Sequence, residues 1–239
     1  MRNRAVAAMA LALGLLACGS GGSGAGACEP DPTYVPQIDP AEFLTLIEDP
    51  NPLWPLVPGT RTVFEGGGEH IEVEVTDQTR VVMGVTCVVV RDTVTVDGEV
   101  AEDTYDWYAQ DKDGNVWYFG EDTREYDGGE VISTAGSWEA GVDGAKPGIV
   151  MHKVQPPPET TYRQEYYACE AEDCAQVVST DNSVTVPAGS YEHCLKTREF
   201  TPLEPDVSEH KYYCDGVGLV LEVDVASGAR VELIEVTAP

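Results

Sequence analysis

Apolar and polar residues alternate from His70 to Thr76, with Ile71, Val73 and Val75 set against Glu72, Glu74 and Thr76. A period of two puts successive side chains on opposite faces, so this stretch reads as a half-buried strand. Thr60 to Glu65 is strand-like as well. Val81-Val82-Met83, Gly84 and then Val85 to Val90 read as a hairpin into a mostly buried strand. Asp97-Gly98 is a tight-turn dipeptide between Thr93–Val96 and the run that starts at Val100. A third hairpin joins Thr104–Ala109 to Val116–Phe119 through Asp111-Lys112-Asp113-Gly114-Asn115. Between residues 60 and 239 no stretch sustains a helical period, which predicts an all-β fold. Before it, eight prolines punctuate residues 28–58 and leave room for only a helical turn or two, over Ala41 to Glu48.

The second half repeats the first in outline. Thr86-Cys87-Val88-Val89-Val90-Arg91-Asp92 matches His193-Cys194-Leu195-Lys196-Thr197-Arg198-Glu199. Tyr105-Asp106-Trp107-Tyr108-Ala109 matches His210-Lys211-Tyr212-Tyr213-Cys214, and Asp113-Gly114 before Val116-Trp117-Tyr118 matches Asp215-Gly216 before Leu219-Val220. From Cys to aromatic pair is 20 residues in the first half and 18 in the second. This order implies a degenerate internal duplication: antiparallel sheets from two related halves, arranged as a sandwich or an open half-barrel.

The N-terminus carries an address. Met1-Arg2-Asn3-Arg4 is a short positive region, and Ala5 to Ala17 is uncharged and apolar. That is the anatomy of a secretory signal, too short to span a bilayer comfortably. It ends in Leu15-Leu16-Ala17-Cys18-Gly19, which resembles the lipobox of bacterial lipoproteins. The resemblance implies cleavage before Cys18, lipid on that cysteine, and a bacterial cell-envelope location. Gly19, in place of the Asp that retains enteric lipoproteins in the inner membrane, implies the outer membrane if the host is Gram-negative. The Gly/Ser run from Gly19 to Ala27 reads as a flexible tether. The expected divisions are a signal peptide at 1–17, a tether at 18–33, a Pro-rich lead-in at 34–57, a first β half at 58–145 and a second at 146–239.

A further likeness lies in Val184-Thr-Val-Pro-Ala-Gly-Ser-Tyr191, Cys194-Leu195-Lys196, Tyr212-Tyr213 and Gly216-Val217-Gly218-Leu219-Val220. It resembles a pattern of uncharacterised bacterial exported β-proteins over residues 160–236, with a second signature at 105–122. The resemblance implies fold and export but no activity. Where such chains carry Ala-Pro, this one has Cys214-Asp215, which the resemblance reads as an added disulfide.

Charge changes the picture next. The chain holds 14 Lys+Arg against 42 Asp+Glu, a formal net charge of −28. Loss of residues 1–17 removes Arg2 and Arg4 and no acid. Such a field repels nucleic acid and anionic headgroups, and admits cations or a basic protein partner. The expected membrane contact is therefore through the N-terminal lipid.

Chemistry is sparse. Beyond Cys18, six cysteines remain: Cys28, Cys87, Cys169, Cys174, Cys194 and Cys214. An even number in an exported chain suggests up to three disulfides. Cys169 with Cys174 is the local pair, the duplication suggests Cys87 with Cys194, and Cys28 is left for Cys214. There is no CxxC, HExxH or G-x-S-x-G motif. His193 adjoins Cys194, but neighbours on a strand point to opposite faces. Asp111, Asp113 and Asn115 invite a calcium reading. Val116 and Asp122, however, stand where an EF-hand loop needs Gly and Glu, and a plain hairpin turn accounts for the triplet. Trp107 and Trp117 are the candidate ligand-contacting aromatics, with a core role as the simpler alternative. The expected protein is a non-enzymatic, acidic envelope lipoprotein that binds a partner or supports the surface, without a cofactor. Its alternatives are a small-ligand or lipid carrier with an aromatic-lined cavity, and a calcium-dependent binding module.

Overall fold

A computed structural model describes residues 31–239. Cys18, Cys28, the signal segment and the Gly/Ser run lie outside the described residues. The strands are β1 (Arg61–Gly66), β2 (Glu69–Val82), β3 (Val85–Val96), β4 (Glu99–Gln110), β5 (Val116–Asp127), β6 (Glu130–Ser133), β7 (Trp138–Glu139) and β8 (Lys146–Met151). They continue with β9 (Thr161–Arg163), β10 (Glu165–Tyr166), β11 (Cys174–Val186), β12 (Gly189–Phe200), β13 (Ser208–Cys214), β14 (Gly218–Asp224) and β15 (Arg230–Thr237). In place of a helix at Ala41 to Glu48 stands one 3-10 turn, Pro40–Glu42, after which Phe43 pairs with Asp111. Only the Asp39 cap and Pro40 favour a turn there, and Phe43 and Ile47 pack onto the sheet instead.

All strands join one antiparallel sheet in the order β10-β8-β5-β4-β3-β2-β1-β15-β14-β13-β12-β11-β9, with β6 and β7 hanging from β5. It is a single open sheet and not a two-sheet sandwich. Two meanders, β2 to β5 and β11 to β14, lie head to tail within it and are joined where β1 pairs with β15. The turns follow local chemistry. Met83-Gly84 and Asp97-Gly98 both take positive φ at their two central residues, as a tight hairpin requires. The ends of the sheet approach each other at β8 and β9, so the sheet curls around an interior.

Two apolar cores result. One gathers Val82, Cys87, Trp107, Val116, Phe119 and Met151; the other gathers Phe64, Val94, Val184, Leu233 and the Cys194–Cys214 disulfide. Val73 and Leu219 pack against both.

Three cysteine assignments need correction. Cys194 bonds to Cys214 across β12 and β13, with Cα atoms 4.4 Å apart. Cys87 and Cys174 are buried free thiols. Pairing Cys87 with Cys194 fails because five strands separate β3 from β12 in the sheet, far beyond the ~7 Å that a disulfide spans. The local pair fails because Cys169 sits at the tip of the turn closed by Tyr167 and Ala171, while Cys174 is held in β11 between Arg163 and Phe200. Cys169 is disulfide-bonded, and not to Cys174, whose thiol is free. With Cys214 taken by Cys194, the pair of Cys28 with Cys214 falls too.

Candidate functional site

The inner face is organised around Trp54. The segment before it is pinned by Asn51, whose backbone N–H donates to Gln110 Oε1 at 2.8 Å and whose side-chain amide donates to the Gly114 carbonyl at 2.9 Å. Asn51 Oδ1 accepts from the Leu53 N–H, and Gly216 N–H donates to the Pro52 carbonyl. Anchored to both meanders, this strap lays Trp54 between Tyr108 and Tyr213, with ring centroids 5.3 Å and 5.8 Å away. Tyr118 stacks on Tyr108 at 4.7 Å.

Those two tyrosines are matched by register. Tyr108 pairs with Val88 across β3–β4, and Tyr213 pairs with Leu195 across β12–β13. Both meanders also bulge here: two residues of β5, Phe119 and Gly120, oppose the single Trp107 of β4, and β14 slips against β13 between Tyr212 and Tyr213. On β5 the bulge needs Gly120, where φ is +130° and a Cβ would stand 2.2 Å from the Trp138 carbonyl oxygen. The extra residue restores Glu121 to the side that Tyr118 faces, opposite Asp106.

Two small cavities flank Trp54 and Tyr108. The first, about 80 Å³, is walled by Tyr118, Tyr213, Glu121, Glu165, Asp173, Glu199 and Lys211. The second, about 100 Å³, has apolar walls that include Phe64, Val73, Val75 and Leu219, with Asp92 and Asp106 among them.

Acids dominate the first and mark one wall of the second. Lys211 is 2% exposed and lies 3.3 Å from Glu222, 3.5 Å from Glu199 and 3.6 Å from Glu209. It answers for only part of the negative charge. Tyr213 O–H donates to Glu199 at 2.8 Å, and Tyr118 O–H donates to Asp106 at 2.6 Å and to Glu121 at 3.1 Å. Burial pushes Asp106 up to about 7, Asp173 to about 6 and Glu222 to about 8, the last despite Lys211 beside it. Glu102, on the same face of β4, rises to about 7. Burial raises Asp92, Glu121 and Glu165 well above the usual carboxylate range, and neighbouring carboxylates add to the effect. At neutral pH this interior therefore stores protons that an exposed acid would have lost.

Two buried oxygens on the cavity walls have no hydrogen-bond partner among the described residues: Asp92 Oδ1, in a residue 3% exposed, and Gln164 Oε1, in a residue 4% exposed. Each residue lines one of the cavities.

Of the residues the sequence singled out, Trp107 and Trp117 line neither cavity. Trp107 is buried on the opposite face of β4 under the Arg80 guanidinium, 4.0 Å from its ring. Trp117 packs edge-on against Phe43 and donates its indole N–H to Asp111. The neighbouring residues Tyr108 and Tyr118 face the interior instead, one step along each strand. Trp54, Asp92, Asp106 and Lys211 were not legible as site residues, although the near-match of Asp106-x-Tyr108 with Lys211-x-Tyr213 marks the positions.

Asp111 accepts from Asn115 N–H at 2.8 Å, from Asn115 Nδ2 at 2.9 Å and from Trp117 Nε1 at 2.8 Å; Asn115 Oδ1 accepts from Lys153 N–H. These bonds close the β4–β5 hairpin, and Asp113 is exposed at its tip. Among the described residues no group of three or more His, Cys, Asp or Glu is arranged to hold a metal ion. His193 pairs with Asp181 at 2.7 Å on the surface, away from the Cys194 disulfide. Burial pushes the Cys87 thiol up to about 12 and Cys174 to about 11, which leaves neither as a ready nucleophile.

No protein-family model matches the chain, and no curated protein matches it. Among solved structures it is similar to a candidate lipoprotein of Parabacteroides distasonis, at 13% identity and a TM-score of 0.43, over 80% of this chain and 100% of that one. It is also similar to a candidate exported protein of Bacteroides fragilis with a YmcC-like fold, at 14% identity and a TM-score of 0.40, over 76% of this chain and 96% of that one. The class that the strands define is an all-β chain built on one open, curled antiparallel sheet.

Proposed function

We propose that this chain is a non-enzymatic cell-envelope lipoprotein, tethered through Cys18, that binds a small ligand inside its curled sheet. The observation that carries the reading is the pair of cavities on either side of Trp54, walled by Tyr108, Tyr118 and Tyr213 and strapped from both meanders. A concave site with apolar and aromatic walls and a few placed polar groups is the usual form of a small-molecule site. Size argues against a lipid cargo: a cavity of about 150 Å³ holds one benzene, so about 100 Å³ holds a few heavy atoms and no acyl chain. A non-catalytic role fits the lining, which includes no His, Ser or Cys. Burial holds Asp92, Glu121 and Glu165 well above the usual carboxylate range, which makes them poor general bases near neutrality.

Native mass spectrometry of the lipoprotein purified from its own envelope tests this. A bound small molecule, released on unfolding and lost in Trp54→Ala, is the expected result. No adduct, together with no fragment that perturbs the Trp54 fluorescence, would overturn the binding role. Turnover abolished by Glu165→Gln would overturn the non-enzymatic one.

A further inference from the structure

We propose that the cavity between Asp92, Asp106 and the wall of Phe64, Val73 and Val75 binds a primary alkylamine, its ammonium on the two carboxyls and its alkyl chain along the wall. The proposal rests on the small-ligand reading above and names the ligand class.

Asp92 lies opposite Thr104 across β3–β4, and Asp106 lies opposite Val90, so the two acids are diagonal neighbours on one face. Both line the same cavity. No basic side chain of the described residues pairs with either. Arg91 is forked onto Asp103 on the other face of the same strands, and Lys211 is enclosed by Glu199, Glu209 and Glu222. Asp92 Oδ1 is buried and unpartnered, and leaving such an acceptor unmet costs about 1–3 kcal/mol. What the place lacks is an N–H donor with positive charge.

The other walls select among cations. A hydrated metal ion wants six or more oxygens, whereas here two acids and two threonines, Thr60 and Thr62, sit among aliphatic and aromatic carbon. A quaternary ammonium carries no N–H for Asp92. A primary ammonium supplies three, and Trp54 and Tyr108 line the same cavity. A liquid water takes about 30 Å³, so about 100 Å³ leaves space for a short alkyl chain beyond the charged head.

Binding would be proton-linked. The groups that face Asp92 are Asp106, Glu102 and Glu222, which favour its neutral form, and Lys211, which opposes it. An ammonium that docks against a carboxyl held neutral displaces one proton. Affinity should therefore rise up to tenfold per pH unit until that carboxyl ionises unaided.

The test is calorimetric titration of the full lipoprotein in detergent with n-butylamine, beside 1-butanol, tetramethylammonium chloride and sodium chloride at matched ionic strength. Expected are saturable one-to-one binding of butylamine, at least tenfold weaker binding of butanol and tetramethylammonium, and a rise in affinity between pH 6 and pH 7. Asp92→Asn should weaken butylamine at least tenfold and leave butanol unchanged; Asp106→Asn serves if the first variant does not fold, and the exposed Asp113→Asn should bind as wild type. Butanol binding as well as butylamine overturns this inference and leaves the small-ligand reading standing. Sodium reproducing the butylamine signal reduces it to diffuse counterion screening and overturns it too. No binding of any probe in a folded protein overturns it, and the native mass spectrum then decides the small-ligand reading separately.

Discussion

Val88 stands opposite Tyr108 across β3 and β4 as Leu195 stands opposite Tyr213 across β12 and β13. One residue beyond the second pair, Cys194 bonds to Cys214; the same step from the first pair leads to Cys87 and Ala109. Ala109→Cys should therefore form a second cross-strand disulfide with Cys87 in the exported protein. Closing a loop of this size is worth about 3 kcal/mol at most, less whatever strain the fully packed site imposes. Non-reducing peptide mapping checks the bond and urea melts its effect; a Cys87–Cys174 peptide in the wild type would contradict the register.

Stability should fall as pH rises. Asp106, Glu102 and Glu222 have folded pKa values raised to about 7, 7 and 8 by burial. Between the ordinary carboxylate range and those values the folded state holds more protons than the unfolded one, so the slope of stability against pH is negative there, and the raised Asp92, Glu121 and Glu165 act in the same direction. Urea melts at pH 5, 6, 7 and 8 should show it, and Asp106→Asn, which keeps an oxygen for Tyr118, should flatten the part between pH 5 and 7. A stability that holds level or increases from pH 5 to 8 would show that these acids are not held neutral.

Lys211→Met should be severely destabilising at pH 8, by about 3–5 kcal/mol, because it leaves Glu199, Glu209 and Glu222 buried without their cation. At pH 5 the loss should be much smaller, since the raised Glu222 then carries a proton. The difference between the two pH values is the diagnostic, since lost packing alone would cost the same at both.

The β4–β5 hairpin separates Asp111 from Asp113. Asp111→Ala strands three N–H donors and should cost about 1–3 kcal/mol. Asp113→Asn at the exposed tip should stay within about 0.5 kcal/mol of wild type. Thermal melts in calcium should match those in sodium at equal ionic strength. A saturating rise with calcium, lost in Asp113→Asn, would make the loop a cation site instead.

Strand identity, turn positions and the all-β class were local properties. Alternation over His70–Thr76 and the Asp97-Gly98 dipeptide act within a few residues, and β2, β3 and the turn between β3 and β4 lie where those patterns put them. The likeness of the two halves was also legible, because Cys, aromatic pair and Asp-Gly recur in order. What the pattern left open was parity. A period of two says that Trp107 and Tyr108 face opposite ways but not which one faces inward. That was decided by the curl of the sheet and by the bulge at Gly120, neither of which is written in hydropathy. The disulfides depended on which strands adjoin: similar positions on β3 and β12 end up far apart, whereas Cys194 and Cys214 meet because β12 and β13 are neighbours. Composition, finally, announced an acidic chain whose charge belongs in water. Only the tertiary structure put Asp92, Asp106, Glu121 and Glu165 inside, where desolvation, and not sequence, sets their protonation.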